Sequence, residues 1–127
     1  MQRRIGLMCA LLLLGSCGSE EPAAPLTTVE AFMADPQALE RGQALFLGSC
    51  ANFCHSLIVE DPDVNDAAFL FDCDWQSART DDEIFEVVTT GIPNTRMVGF
   101  GNNFPEGDDD LWKIIAYIRA NQDACGQ

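Results

Sequence analysis

The segment Cys50-Ala51-Asn52-Phe53-Cys54-His55 puts two thiols and an imidazole within six residues, and it constrains the fold more than any other stretch of the chain. Side chains of this kind, set this close, serve as a disulfide, as metal ligands, or as the attachment point of a covalent prosthetic group. Structural zinc takes four ligands, usually from paired cysteine and histidine clusters. This chain has a single histidine, and its six cysteines include no second close pair. Zinc is therefore short of ligands, which leaves a disulfide or a covalently held group.

The start of the chain reads as an export signal. Arg3 and Arg4 precede an apolar run over residues 5–14, too short to cross a bilayer as a helix, and Gly15 and Ser16 follow directly before Cys17. Leu14-Gly15-Ser16-Cys17 resembles a bacterial lipobox, which makes Cys17 the acylated first residue of the mature protein. The sequence thus divides into a signal over residues 1–17, a flexible tether over 18–28 containing Ser, Glu and Pro, and one domain over 29–127. Several acyl chains on one residue anchor a protein far better than one. Gly18 stands where an aspartate would retain such a lipoprotein at the inner membrane, which favours the outer membrane.

The formal net charge is −13, and only five of the seven basic residues remain once the signal is removed. Nucleic acid is a poor partner for such a surface, whereas a protein with a basic patch is steered towards it. Three helices have clear edges. The first is predicted from an Asp35 cap and Pro36, carries Leu39, Leu45 and Phe46, and reaches Gly48 beside Cys50. The second has the capping box Thr80 with Glu83, then Ile84, Val87 and Val88, and is closed by Gly91. The third starts around Asp108, aligns Leu111, Ile114, Ile115 and Ile118, and continues to about Gln122. The acidic clusters at Asp81, Asp82 and Glu83 and at residues 108–110 sit where helix N-termini favour negative charge.

No run alternates with a strand period, so long loops must pack around something other than a sheet. A bound planar cofactor supplies apolar surface and cross-links. Two cysteines that add to porphyrin vinyl groups, followed at once by an iron-binding histidine, form the c-type haem attachment pattern. The usual spacer has two residues and this one has three, a difference that a looped-out residue accommodates. With His55 as one axial ligand, no histidine is left for the other face, and methionine is the natural candidate. Met1 and Met8 fall in the signal and Met33 precedes the first predicted helix, which leaves Met97.

The stretch Thr90-Gly91-Ile92-Pro93-Asn94-Thr95-Arg96-Met97-Val98-Gly99-Phe100-Gly101 closely resembles the methionine loop of class I cytochromes c. The framework is similar too, with Gly42 and Phe46 before the attachment site and Ile115-Ala116-Tyr117-Ile118 in the last helix, and the resemblance covers about 35–121. It implies an all-α class I cytochrome c fold, three main helices and loops wrapped round one covalent haem c. Cys50 and Cys54 would hold the haem, and His55 and Met97 would ligate its iron. Pro93 in the same loop would contact the cofactor, Gly42 would let the first and last helices approach closely, and Leu70 or Phe71 would fill the place of the family's conserved-type leucine. Trp75 looks like the family's propionate-binding tryptophan, and Arg79 and Arg96 would neutralise propionates. The glycine-proline pair that often follows the histidine is missing, because residues 56–66 contain only Pro62, so the acceptor for the second imidazole nitrogen is unassigned.

With both axial positions filled, the resemblance implies a redox carrier and not an enzyme. The expected function is one-electron transfer in the periplasm of a Gram-negative bacterium by a lipid-anchored protein. Its redox partners would be a quinoprotein dehydrogenase, a terminal oxidase or another respiratory complex. A haem enzyme or gas sensor in which Met97 dissociates is the rival reading, and it lacks a second histidine for acid-base work. A third is a haem-free binding lipoprotein with disulfides Cys50 to Cys54 and Cys73 to Cys125. In the haem-bearing readings Cys73 and Cys125 are the unassigned pair, and an oxidising export compartment favours their joining.

Overall fold

Residues 25–51, 54–58 and 66–123 are described in a computed structural model of the chain. Among them the regular structure is helical, with no strand and a single isolated antiparallel bridge between Gly91 and Val98. This is the all-α architecture that the sequence predicts. We number the helices α1 (Thr28–Met33), α2 (Pro36–Phe46), α3 (Cys73–Ser77), α4 (Asp81–Thr90) and α5 (Asp108–Ala120). A π-helical turn, Leu47–Ala51, continues α2.

The predicted helix starts rest on local chemistry, and the structure places them accordingly. The Asp35 carboxylate accepts from the Gln37 N–H ahead of Pro36, and Thr80 and Glu83 exchange both bonds of a capping box. The α-helical register of α2 stops at Phe46, short of the expected Gly48, because the chain widens into the π turn. Two short helices join the three expected ones. The first, α1, has its own capping box from Thr27 and Glu30 and buries Val29; Met33 is its last residue and does not precede all helical structure. The second, α3, is capped by Asp72 and packs the buried Gln76 inward.

The long helix α5 is the hub, packing against α1, α2 and α4. Leu111, Ile114, Ile115, Ala116 and Ile118 are buried along it. Its crossing with α2 depends on Gly42, where a Cβ would lie 2.1 Å from the Lys113 carbonyl oxygen. One turn on, Phe46 is fully buried against Phe71 and Tyr117, with ring centroids 5.5 and 5.6 Å away. The crossing is also tied electrostatically. Asp110 is wholly buried and accepts from Arg41 Nε and Nη2 at 2.8 Å each and from the Glu106 N–H at 2.9 Å. The Arg41 hydrogen bonds hold the Asp110 carboxyl below the usual carboxylate range. No helix among the described residues is long and apolar enough to cross a membrane.

Candidate functional site

The π turn at the end of α2 carries Cys50. The Cys50 carbonyl accepts from the N–H groups of Cys54 at 3.1 Å and His55 at 3.0 Å. One acceptor therefore ties the second cysteine and the histidine to the first cysteine. Both cysteines are free thiols that line a cavity of about 1080 Å³, and His55 lines it with them. Burial chiefly, and the charge of Cys54 secondarily, push the Cys50 thiol up to about 12, so it is neutral near pH 7.

His55 Nδ1 lies 2.9 Å from the Ala68 carbonyl oxygen. A carbonyl only accepts, so Nδ1 carries the proton and Nε2 keeps its lone pair for a metal. Ala68 is the acceptor that the sequence left unassigned. No residue pattern points to it, because the group is a backbone carbonyl thirteen residues away.

Another part of the cavity wall is built by α4 and the loop after it. Gly91 ends α4 at φ 74°, a left-handed conformation that glycine adopts without strain. The following loop closes on itself: the Ile92 N–H donates to the Met97 carbonyl at 2.9 Å, and the Thr95 hydroxyl accepts from the Met97 N–H at 3.1 Å while donating to the Ile92 carbonyl at 2.8 Å. Amides of Phe100 and Gly101 then bond back to the Val88 and Thr89 carbonyls of α4. This places Met97 in the wall of the cavity that His55 also lines, and both border a smaller cavity of about 370 Å³ with Cys50 and Cys54. Pro93 is exposed at the tip of the loop and is not part of the cavity wall.

Ile84, Val87 and Val88 of α4 and Ile114 and Ile118 of α5 make the wall largely apolar. Leu70 lines it, whereas Phe71 belongs to the core beside Phe46. Trp75 and Arg79 line it together; the Arg79 guanidinium sits 4.8 Å from the Trp75 ring centroid and donates to the Trp75 carbonyl at 3.1 Å. Arg96 lines it too, and pairs through Nε and Nη2 with Asp66, Nε at 2.8 Å. Those hydrogen bonds hold the Asp66 carboxyl below its usual range. Cys73 is disulfide-bonded, while Cys17 and Cys125 lie outside the described residues.

The donor set suits a covalently held porphyrin. It combines two free cysteines four residues apart, an imidazole whose tautomer is fixed for ligation, a thioether, and largely apolar walls that also carry arginines. A family model described as cytochrome C oxidase, cbb3-type, subunit III matches residues 37–118, a span that contains every residue of the cavity wall. No curated protein and no solved structure matches the chain.

Proposed function

The chain belongs to the family of cytochrome c domains described as cytochrome C oxidase, cbb3-type, subunit III, and from that premise we propose that it is a periplasmic one-electron carrier with Cys50 and Cys54 as the haem attachment points and His55 and Met97 as axial ligands. The observation that carries the reading is that these four residues, the chain's single histidine among them, line one cavity. Bound haem c supplies a ferric–ferrous couple. The protein's own residues do the rest. Ala68 orients the His55 ring, the self-bonded loop holds the Met97 thioether in the wall, and the apolar side chains of α4 and α5 exclude water. Methionine ligation and an apolar wall would both favour the ferrous state and raise the potential. With His55 and Met97 both bound, the iron would offer no free position to a substrate, which supports transfer over catalysis.

The remaining parts of the reading concern location and partners. Cys17 carries the lipid anchor, in the outer membrane in preference to the inner, and the excess of acidic over basic residues, larger still without Arg3 and Arg4, selects redox partners with a basic docking patch. The family description names an oxidase subunit, which supports a respiratory complex as partner alongside a quinoprotein dehydrogenase. Cys73 pairs with Cys125. In support, the Asp123 N–H donates to the Phe71 carbonyl at 2.8 Å, which joins the two segments two residues before each cysteine.

Expression in a host with haem-attachment machinery tests the central reading. The expected product is red, keeps its haem through acid-organic extraction, and shows a low-spin six-coordinate spectrum. A colourless product, or haem lost to extraction, rejects covalent attachment; rapid carbon monoxide binding by the ferrous form rejects Met97 as a firm ligand.

A further inference from the structure

Arg119, near the end of α5, is not part of the cavity wall, yet it makes three hydrogen bonds, one each to α3, to the first residue of α4 and to the turn between them. Its Nε donates to Asp81 Oδ1 at 2.7 Å, its Nη1 to the Gln76 carbonyl at 2.7 Å and its Nη2 to the Arg79 carbonyl at 2.6 Å. The side chain is only 16% exposed. Gln76, wholly buried next to it, adds bonds from Nε2 to the Leu70 and Ile118 carbonyls, both at 3.0 Å. The last turns of α5 therefore grip both ends of the short turn from which Arg79 projects. Arg79 in turn stacks on Trp75 and donates to its carbonyl, and both line the cavity.

From this geometry we infer that Arg119 is a positioning residue, which fixes the Arg79 guanidinium against Trp75 in the cavity wall and through that cation sets the reduction potential. The inference rests on the reading of the cavity as a haem site. A cation held at the wall stabilises the ferrous state, which carries one positive charge less. Arg79 is exposed, so Arg119 acts by fixing where that cation sits and not by shielding it from water. The other charged groups on the wall are already engaged or of opposite sign. Arg96 pairs with Asp66, Glu83 accepts from the Thr80 N–H and hydroxyl, and Glu86 is an anion. Only a planar fork reaches an acidic side chain and two carbonyls at once, so lysine keeps the charge of Arg119 but not its grip.

The test is the midpoint potential of the haem-loaded protein, read by spectroelectrochemical titration, in R79Q, R119K, D81N and R79Q/R119K. R79Q is expected to lower the potential, R119K to lower it in the same direction, and the double variant to fall no further than R79Q alone. D81N separates positioning from plain charge and serves if R119K does not fold. Loss of an anion by itself raises the potential, whereas loosening Arg119 lowers it. An R119K potential equal to wild type, additive effects in the double variant, an unchanged potential in R79Q, or a raised potential in D81N each overturns the proposal. A wild-type protein without attached haem would instead reject the haem reading, and that result is visible before any variant is made.

Discussion

Gly42→Ala tests the helix crossing on which the cavity is built. Alanine favours a helix over glycine by about 1 kcal/mol, so on propensity alone the variant should be more stable. The crossing predicts the opposite. A Cβ at residue 42 would lie 2.1 Å from the Lys113 carbonyl oxygen, 2.6 Å from its carbonyl carbon and 3.2 Å from Tyr117 Cβ. Unstrained carbon–oxygen contacts begin at about 3.3 Å, so α2 and α5 must part by roughly 1 Å. The obstruction is backbone and cannot rotate away. A gap of that size forfeits a quarter to a half of each dispersion contact along the interface, including the Phe46–Tyr117 contact, and overpacking of this kind costs about 1–3 kcal/mol or more. Set against the propensity gain, a mid-range overpacking cost leaves a net loss of about 1 kcal/mol. Urea denaturation of the haem-loaded protein, followed by far-ultraviolet circular dichroism, should show a midpoint lower by roughly 0.5–1 M at unchanged slope. Gly48→Ala is the control, because a Cβ there meets nothing within 4 Å. A Gly42→Ala midpoint at or above wild type would refute the close approach of the two helices.

Three further outcomes follow from the same structure. Met97→Ala should lower the reduction potential and open the sixth iron position to carbon monoxide, and an unchanged absorption spectrum would reject Met97 as ligand. Replacing Cys73 and Cys125 together by serine should cost about 4 kcal/mol by the chain-entropy estimate for a loop of roughly fifty residues, read as a lower urea midpoint; equal stability would reject that pairing. The Asp110 carboxyl is held low by Arg41, so its contribution to stability is present above the unfolded value of about 4 and lost as pH falls through the lower folded value. Arg41→Gln removes the main cause of the lowering and leaves burial, which raises it, so acid unfolding should begin at a higher pH than in wild type. Superimposable acid-unfolding curves would show that the pair does not couple to folding.

What could be read in the sequence is what local chemistry decides. Asp35 before Pro36 and Thr80 before Glu83 announce helix starts, because the capping groups sit within three residues of the amides they satisfy. The short helices α1 and α3 escaped because six and five residues with one buried side chain each display no period. Charges were the harder matter. The acid run at residues 108–110 does occupy the first turn of α5, as its composition predicts, yet Asp110 is also a buried partner of Arg41, 69 residues away. Arg119 and Asp81 meet across 38 residues. Nothing in the neighbourhood of either residue in the sequence encodes such a meeting, which is created only when helices pack.

The segment proposed for haem attachment departs from the usual spacing of the family, and backbone hydrogen bonds tie its ends together. A spacer of three residues between Cys50 and Cys54 would push the second cysteine and the histidine out of phase if the chain continued in an α-helical register. The chain instead widens. Leu47–Ala51 is a π turn, which encloses one residue more between bonded groups than an α turn does. The His55 N–H reaches back five residues to the Cys50 carbonyl, and the Cys54 N–H reaches back four to the same atom. Cys54 and His55 are thus both tied to the one Cys50 carbonyl. The Ala68 carbonyl then fixes the His55 ring from outside the segment, supplying from a distant loop the orientation that a glycine-proline pair next to the histidine would otherwise give. Spacing in the sequence is therefore a weaker constraint on this site than the backbone hydrogen bonds that convert spacing into position.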